Sequence, residues 1–260
     1  MLLKDRVALI TGGGSGIGQG IALRFAREGA RLAVVDISPA GLKAAESLLK
    51  EAGAEYLCLL ADVSDTVSVE SFFQETERHF GRLDILVNNA GISNPPMHLV
   101  NMPDDGFDRT VAVNLRGVFL CARAAARWMA RQGQGGRIIN MSSQAGKTGF
   151  VFLGPYCATK AAVILLTQVL AKELAMYKIT VNAVCPGTID TPLLRGALQP
   201  IMDGMGLGLE AVAQRLLPPI PLGRVGHPAD VAKLVTFLAS DEADYMTGQA
   251  INITGGQEMH

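Results

Sequence analysis

Thr11-Gly12-Gly13-Gly14-Ser15-Gly16-Ile17-Gly18 is the stretch of this 260-residue chain whose reading decides the fold. A β-branched run, Val7–Thr11, leads straight into it, and a helical pattern near 16–29 begins inside it. Gly12 permits a sharp turn, Gly16 lets the backbone approach a pyrophosphate, and Gly18 lets the helix pack closely on the strand. Free N–H groups of the helix's first turn, around Ser15 and Ile17, together with the positive end of the helix dipole, hold phosphates. A glycine-rich turn alone is weak evidence, but here the flanks agree. Asp36 closes the next strand, 18 residues beyond Gly18. A carboxylate there accepts hydrogen bonds from both ribose hydroxyls and repels a 2′-phosphate, and no Arg or Lys lies within the turn. That favours NAD over NADP. The structural alternative makes Asp36 a helix cap before Ser38-Pro39.

Outward from this turn, short β-branched runs alternate with longer helical patterns. Strands are expected at Val7–Thr11, Leu32–Asp36, Tyr56–Leu60, Ile85–Asn88, Arg137–Met141, Thr180–Cys185 and Ala250–Ile253. Helices are expected near 16–29, 39–52, 66–80, 104–131, 156–176 and 228–239. The rhythm specifies an α/β fold, a doubly wound parallel sheet of Rossmann-like form with helices on both faces. No repeat or linker divides the chain, so 1–260 reads as one domain. Residues 192–222, rich in Gly and Pro among Leu and Met, break the rhythm and read as a helical insertion acting as a substrate lid, or as a plain surface excursion.

Composition excludes several classes. With 49% hydrophobic and 18% charged residues the chain folds rather than staying disordered. The 23 basic and 24 acidic residues leave a net charge of −1, which offers no field for nucleic acid or an anionic membrane. Cys58, Cys121, Cys157 and Cys185 form no CxxC pair and have no His at ligand spacing, so buried free thiols are expected and no metal site. The N-terminus lacks a signal peptide's apolar core, and the apolar stretch 161–171 is too short to span a bilayer. A cytoplasmic protein is the expectation.

Further residues extend the nucleotide end. Asp62-Val63 follows the third strand, where the carboxylate meets an adenine amino group. Asn88-Asn89-Ala90-Gly91 ends the fourth, its small residues lying against the adenine ribose. At the reacting end, Tyr156 and Lys160 stand four apart on one helix face, and Ser143 lies 13 residues before Tyr156. An ammonium group beside a phenol favours the phenolate, which suits proton exchange with an alcohol or carbonyl. Ser143 donates to the substrate oxygen and holds it at Tyr156.

With these motifs the chain resembles the short-chain dehydrogenase/reductase family from Lys4 to Gly256. The resemblance implies that Tyr156 is the acid/base, Ser143 polarises the substrate, and Lys160 tunes Tyr156 and binds the nicotinamide ribose. It implies that Asn114 holds a water relaying protons from Lys160. Pro186, Gly187 and the Ile189 backbone would line the nicotinamide, with the Thr191 hydroxyl on its carboxamide. It also implies dimers through helices 104–131 and 156–176, paired into a homotetramer. The second of these helices is apolar all round (Val163, Ile164, Leu165, Leu166, Val169, Leu170), which independently calls for a partner subunit. One departure is Thr254-Gly255-Gly256, where many relatives carry Asp-Gly-Gly.

The substrate is less legible. Ser143-Gln144-Ala145-Gly146 resembles the branch acting on vicinal diols, ketols and small polyols, and the Gln144 amide would bond a second oxygen beside the reacting one. Alternatively Gln144 faces solvent or ties down its own loop. Met97, Phe150, Phe152, Leu153, Leu193, Met202 and Met205 would line an apolar pocket, and no cluster of cations faces it. Arg123, Arg127 and Arg131 form a helical stripe that would dock an acidic carrier protein or lie on a solvated face. The expected activity is hydride transfer between NAD(H) and a secondary alcohol or ketone, a small diol, ketol or polyol. The rivals are a 3-oxoacyl thioester reductase and a non-catalytic nucleotide sensor.

Overall fold

Runs of Val, Ile, Leu and Ala with no polar face need apolar cover on both sides. In the computed structural model, which describes residues 1–260 apart from the side chain of Pro200, they form one parallel sheet. The strands are β1 (Val7–Thr11), β2 (Arg31–Asp36), β3 (Tyr56–Leu60), β4 (Ile85–Asn88), β5 (Gly136–Met141), β6 (Ile179–Pro186) and β7 (Ala250–Ile253). Their order is β3-β2-β1-β4-β5-β6-β7, all parallel. Side chains of β1 alternate between two apolar layers. Ala8 and Ile10 meet α1 (Gly16–Arg27), α2 (Pro39–Glu51) and α9 (Pro228–Ala239). Val7 and Leu9 meet α3 (Thr66–Phe80), α5 (Val118–Gln132) and α6 (Gly154–Leu174). The order reverses between β1 and β4, which opens a crevice at the carboxyl ends of the strands.

The fold departs from the sequence expectations in three places. The helix expected over 104–131 is α4 (Asp104–Val111), a π-helical turn at Ala112–Gly117, and α5. The wide turn carries Asn114, fully buried, whose side chain bonds both the Ile92 N–H and the Ile92 carbonyl, each at 2.8 Å. Next, α6 continues as a tighter turn, so Gly154–Tyr177 is long and apolar enough by length and composition to cross a membrane (24 residues, mean hydropathy 1.2). That corrects the reading of 161–171 as too short, although Val163, Ala171 and Leu174 lie in the core. The other side of α6 stays open, with Leu165 63% and Val169 50% exposed. Finally, Cys58 and Cys157 are only half-buried, whereas Cys121 and Cys185 are buried; all four are free thiols.

In the stretch 192–222 lie α7 (Pro192–Met205) and α8 (Leu209–Leu216). These helices share a small apolar cluster, Leu198, Leu209, Val212 and Ala213, which Val225 joins from just beyond the segment. A chain of buried polar groups links the two central strands to α6. Asn88 Nδ2 donates to Asn140 Oδ1 at 2.8 Å, and Asn140 Nδ2 donates to Thr167 Oγ1 at 2.9 Å.

Candidate active site

A cavity of about 1010 Å³ runs along the crevice. Except for Gly18 and Asn114, every residue assigned above to cofactor binding or catalysis lines it, and so does Gln144.

At the nucleotide end, Gly12 (φ +64°) and Gly16 (φ +53°) adopt left-handed backbone that makes the turn possible. Gly18 is held by closeness instead: a Cβ there would sit 2.1 Å from the Gly12 carbonyl oxygen and 2.5 Å from Asn89 Nδ2. Gly18→Ala is therefore expected to cost about 1–3 kcal/mol and to lower nucleotide affinity with it; an unchanged melting temperature would contradict this. Ser15 caps α1 by its backbone only, and its hydroxyl makes no cap bond, so the first-turn N–H groups and that hydroxyl face the cavity. An anionic diphosphate fits such a cradle.

Asp36 accepts from the Gly14 N–H at 2.8 Å and from the Ser38 N–H at 2.9 Å. It braces the turn, yet each carboxylate oxygen keeps a lone pair toward the cavity it lines. The cap of α2 is Ser38, accepting from the Gly41 N–H at 3.1 Å, so capping is not the role of Asp36. Asp62 Oδ1 takes the Ser64 N–H and hydroxyl, both at 2.8 Å. Asn89 points at the turn: its Nδ2 donates to the Thr11 and Gly12 carbonyls at 3.1 and 2.9 Å.

At the reacting end, β5 delivers Ser143 and the start of α6 delivers Tyr156 and Lys160. Ser143 Oγ accepts from the Ala145 N–H at 3.1 Å, which leaves its proton free to donate. Burial pushes the Tyr156 phenol above its ordinary range, and the hydrogen bond with Ser143 only partly offsets this. The Lys160 ammonium is 5.7 Å from the Tyr156 ring centroid and donates to the Met141 carbonyl at 2.8 Å. Desolvation, rather than the expected pull of Lys160 toward a phenolate, sets the direction of the shift. A phenol raised in this way favours its protonated form near neutral pH.

Lys160 is buried, and burial pulls its ammonium down to about 8. A lysine lowered from 10.5 to about 8 holds fewer protons folded than unfolded between those values, so its contribution to stability rises with pH across that window. The thermal midpoint of wild type relative to Lys160→Met is expected to rise from pH 7 to pH 10; a constant difference would refute this. Asn114 and Lys160 meet at Gly91, where a Cβ would lie 3.3 Å from Asn114 Oδ1 and 3.4 Å from Lys160 Nζ.

Beyond the hydroxyls the cavity is apolar. Phe150, Phe152, Leu153 and Leu193 line it as expected, whereas Met97, Met202 and Met205 do not; Ile201, Leu216 and Leu217 take their place. Phe152 holds φ +72°, an uncommon backbone for an aromatic residue. Asn94, buried, secures it by donating to the Phe152 carbonyl at 3.0 Å, while its Oδ1 accepts from the Tyr156 N–H at 3.3 Å. His98 packs edge-on to the Phe152 ring at 4.8 Å. Gln144 is buried and lines the cavity beside Ser143. Thr191 caps α7, accepting from the Leu194 N–H at 3.2 Å, and retains its hydroxyl proton for a ligand. Sequence reasoning missed Asn94, whose partners Phe152 and Tyr156 are distant in sequence, and Arg109, exposed on the cavity wall. In the Arg stripe, Arg123 stacks over Phe119 and Arg131 pairs with Glu77.

Known proteins resemble this chain over nearly its whole length. The sequence model of a family described as enoyl-(acyl carrier protein) reductase matches residues 12–258. Sorbitol dehydrogenase of Cereibacter sphaeroides is 39% identical over 259 residues, covering 100% of both chains. A (3R)-3-hydroxyacyl-CoA dehydrogenase of Canis lupus familiaris is 38% identical, covering 99% of this chain and 98% of its own. The crystal structure of an actinorhodin polyketide ketoreductase variant with NADPH superposes with a TM-score of 0.92 at 35% identity, over 98% of both chains. With a family model matching residues 12–258 and oxidoreductases 38–39% identical over essentially their full length, the chain belongs to the short-chain dehydrogenase/reductase family.

Proposed function

We propose that this oxidoreductase interconverts a secondary alcohol and a ketone with NAD(H), Tyr156 exchanging the proton. The observation that carries the reading is the convergence of Ser143, Tyr156 and Lys160 on the cavity that also holds the glycine turn and Asp36. The nicotinamide, when bound, supplies the acceptor or donor of hydride. Ser143 donates to the substrate oxygen and aligns it with the Tyr156 hydroxyl. In ketone reduction Tyr156 gives its proton to that oxygen; in alcohol oxidation it takes one back. Lys160, backed by Asn114, holds the nicotinamide ribose and replenishes the proton. Pro186, Gly187, Ile189 and Thr191 support the nicotinamide ring. Gly12, Ser15, Gly16 and Ile17 hold the diphosphate, with Gly18 behind them. Asp62, Val63, Asn89, Ala90 and Gly91 flank the adenosine, and Asp36 takes the ribose hydroxyls, which is the ground for NAD over NADP.

The buried Gln144 beside Ser143 supports a substrate with a second oxygen next to the reacting one, a small diol, ketol or polyol. The apolar wall of Phe150, Phe152, Leu193 and Ile201 favours a second reading, a bulkier substrate such as a 3-oxoacyl thioester. We further propose that 1–260 acts as one domain, with 192–222 as its lid, in the cytoplasm. The exposed apolar side of α6 supports a homotetramer through the 104–131 and 156–176 helices. Incubation with NAD or NADP and a panel of diols, polyols, hydrophobic alcohols and 3-hydroxyacyl thioesters, followed by absorbance of the reduced cofactor, tests the reading. Turnover with NADP alone would remove the Asp36 argument, and absence of turnover with every alcohol would remove the activity.

A further inference from the structure

Deepening that reading, and resting on it for the roles of lid and nicotinamide wall, we propose that Gln257 is a positioning residue: a two-headed latch that holds the 192–222 segment closed against the Pro186–Thr191 wall. The segment has the construction of a hinged body. Its helices share their own apolar cluster, so they move together. Its two ends are stitched by backbone bonds, Gly226 N–H to the Thr188 carbonyl at 3.0 Å and Asp190 N–H to the Gly226 carbonyl at 2.8 Å. That stitch is the hinge.

The returning strand of the body, Leu217 to Gly223, is held elsewhere. Gln257 Nε2 donates to the Pro218 carbonyl at 2.8 Å, while Gln257 Oε1 accepts from the Thr188 N–H at 3.1 Å. Both Pro218 and Thr188 line the cavity. One side chain therefore joins the lid to the nicotinamide wall. A side-chain amide carries an N–H donor and a carbonyl acceptor at one end of a flexible stem, which matches the two partners of the bridge. A backbone bond, Leu222 N–H to the Gly255 carbonyl at 3.0 Å, aligns the strand with the tail.

The tail itself is anchored, which gives the latch a fixed base. Glu258 is buried and accepts from the Thr148 hydroxyl, and the Thr148 N–H donates to the Gln144 carbonyl at 3.0 Å. Thr254 Oγ1 donates to the Glu258 carbonyl at 3.1 Å. The base of the latch is thus bonded to the loop that follows Ser143, so lid closure and the substrate loop share one support.

Two substitutions separate the heads in the full chain. Gln257→Glu keeps an acceptor for the Thr188 N–H but sets a carboxylate oxygen against the Pro218 carbonyl. Gln257→Met keeps the length and loses both bonds. The readouts are trypsin cleavage after Arg215 and Arg224, KM and kcat for an alcohol that wild type oxidises, and the Kd for NAD. Gln257→Glu is expected to raise cleavage and KM about fivefold with kcat and NAD affinity nearly unchanged. Gln257→Met is expected to add a loss of NAD affinity of similar size. Unchanged cleavage in Gln257→Glu would overturn the latch, and so would identical losses of NAD affinity in both variants. Should Gln257→Met fail to fold, Gln257→Asn, too short to reach both partners, reads the same loss. If wild type turns over no alcohol, the functional reading fails, while the cleavage ratio still decides the latch.

Discussion

Tyr156→Phe is expected to lower turnover by about 10²–10⁴-fold while leaving NAD affinity close to wild type. The substitution removes one hydroxyl and keeps the ring, so the cavity wall and the packing of α6 persist. What disappears is the group that trades a proton with the substrate oxygen. Because burial raises the Tyr156 phenol, that group is protonated at neutral pH and serves reduction directly. Oxidation needs the phenolate, so its rate in wild type should climb with pH above neutrality, whereas residual turnover in Tyr156→Phe should lack that rise. Stopped-flow or steady-state absorbance of the reduced cofactor measures both. Retention of wild-type kcat by the Phe variant would place the proton on another residue.

Asp36→Ala is expected to weaken NAD binding by about 10–100-fold and to change NADP binding far less, so that the preference collapses. Two effects add. The ribose hydroxyls lose a charged acceptor, and the negative charge that repels a 2′-phosphate is gone. The same carboxylate also braces the Gly14 and Ser38 N–H groups, so part of the loss arises in the turn. That part weakens both cofactors equally and leaves their ratio unchanged, which makes the ratio of Kd values the decisive measurement. An unaltered ratio would mean that discrimination lies elsewhere in the cavity.

Much of the scaffold was legible because its signals are local. β1, β3, β4 and β7 begin and end at the expected residues, since short apolar runs bounded by turn residues mark their own limits. The glycine turn, Ser143, Tyr156 and Lys160 were readable for a related reason: each motif sits where a strand ends or a helix begins. The wide turn at 112–117 was not legible, because a single extra residue in a helix leaves no trace in the apolar period. Nor was the shift of Tyr156, which depends on how much of the fold covers the ring. The Asn94 brace and the Gln257 bridge escaped for a third reason. They join residues 39 to 69 positions apart, where no periodicity reaches.

The Asn88–Asn140–Thr167 chain has a consequence for how the molecule attains this fold. β4 and β5 are apolar on both faces, so hydrophobic burial does not distinguish one alignment of the two strands from its neighbour. In the observed pairing Asn88 lies opposite Asn140. A slip of one residue would set Asn88 against Ile139 or Met141 and strand amide groups in a dry interior, costing roughly 1–3 kcal/mol for each. It would also carry Asn89, Ala90 and Gly91 about 3.3 Å along the strand direction, away from the glycine turn they brace. Misaligned intermediates are thereby penalised before any ligand is present, and a chain that aligns these two amides has already built half of its nucleotide cleft.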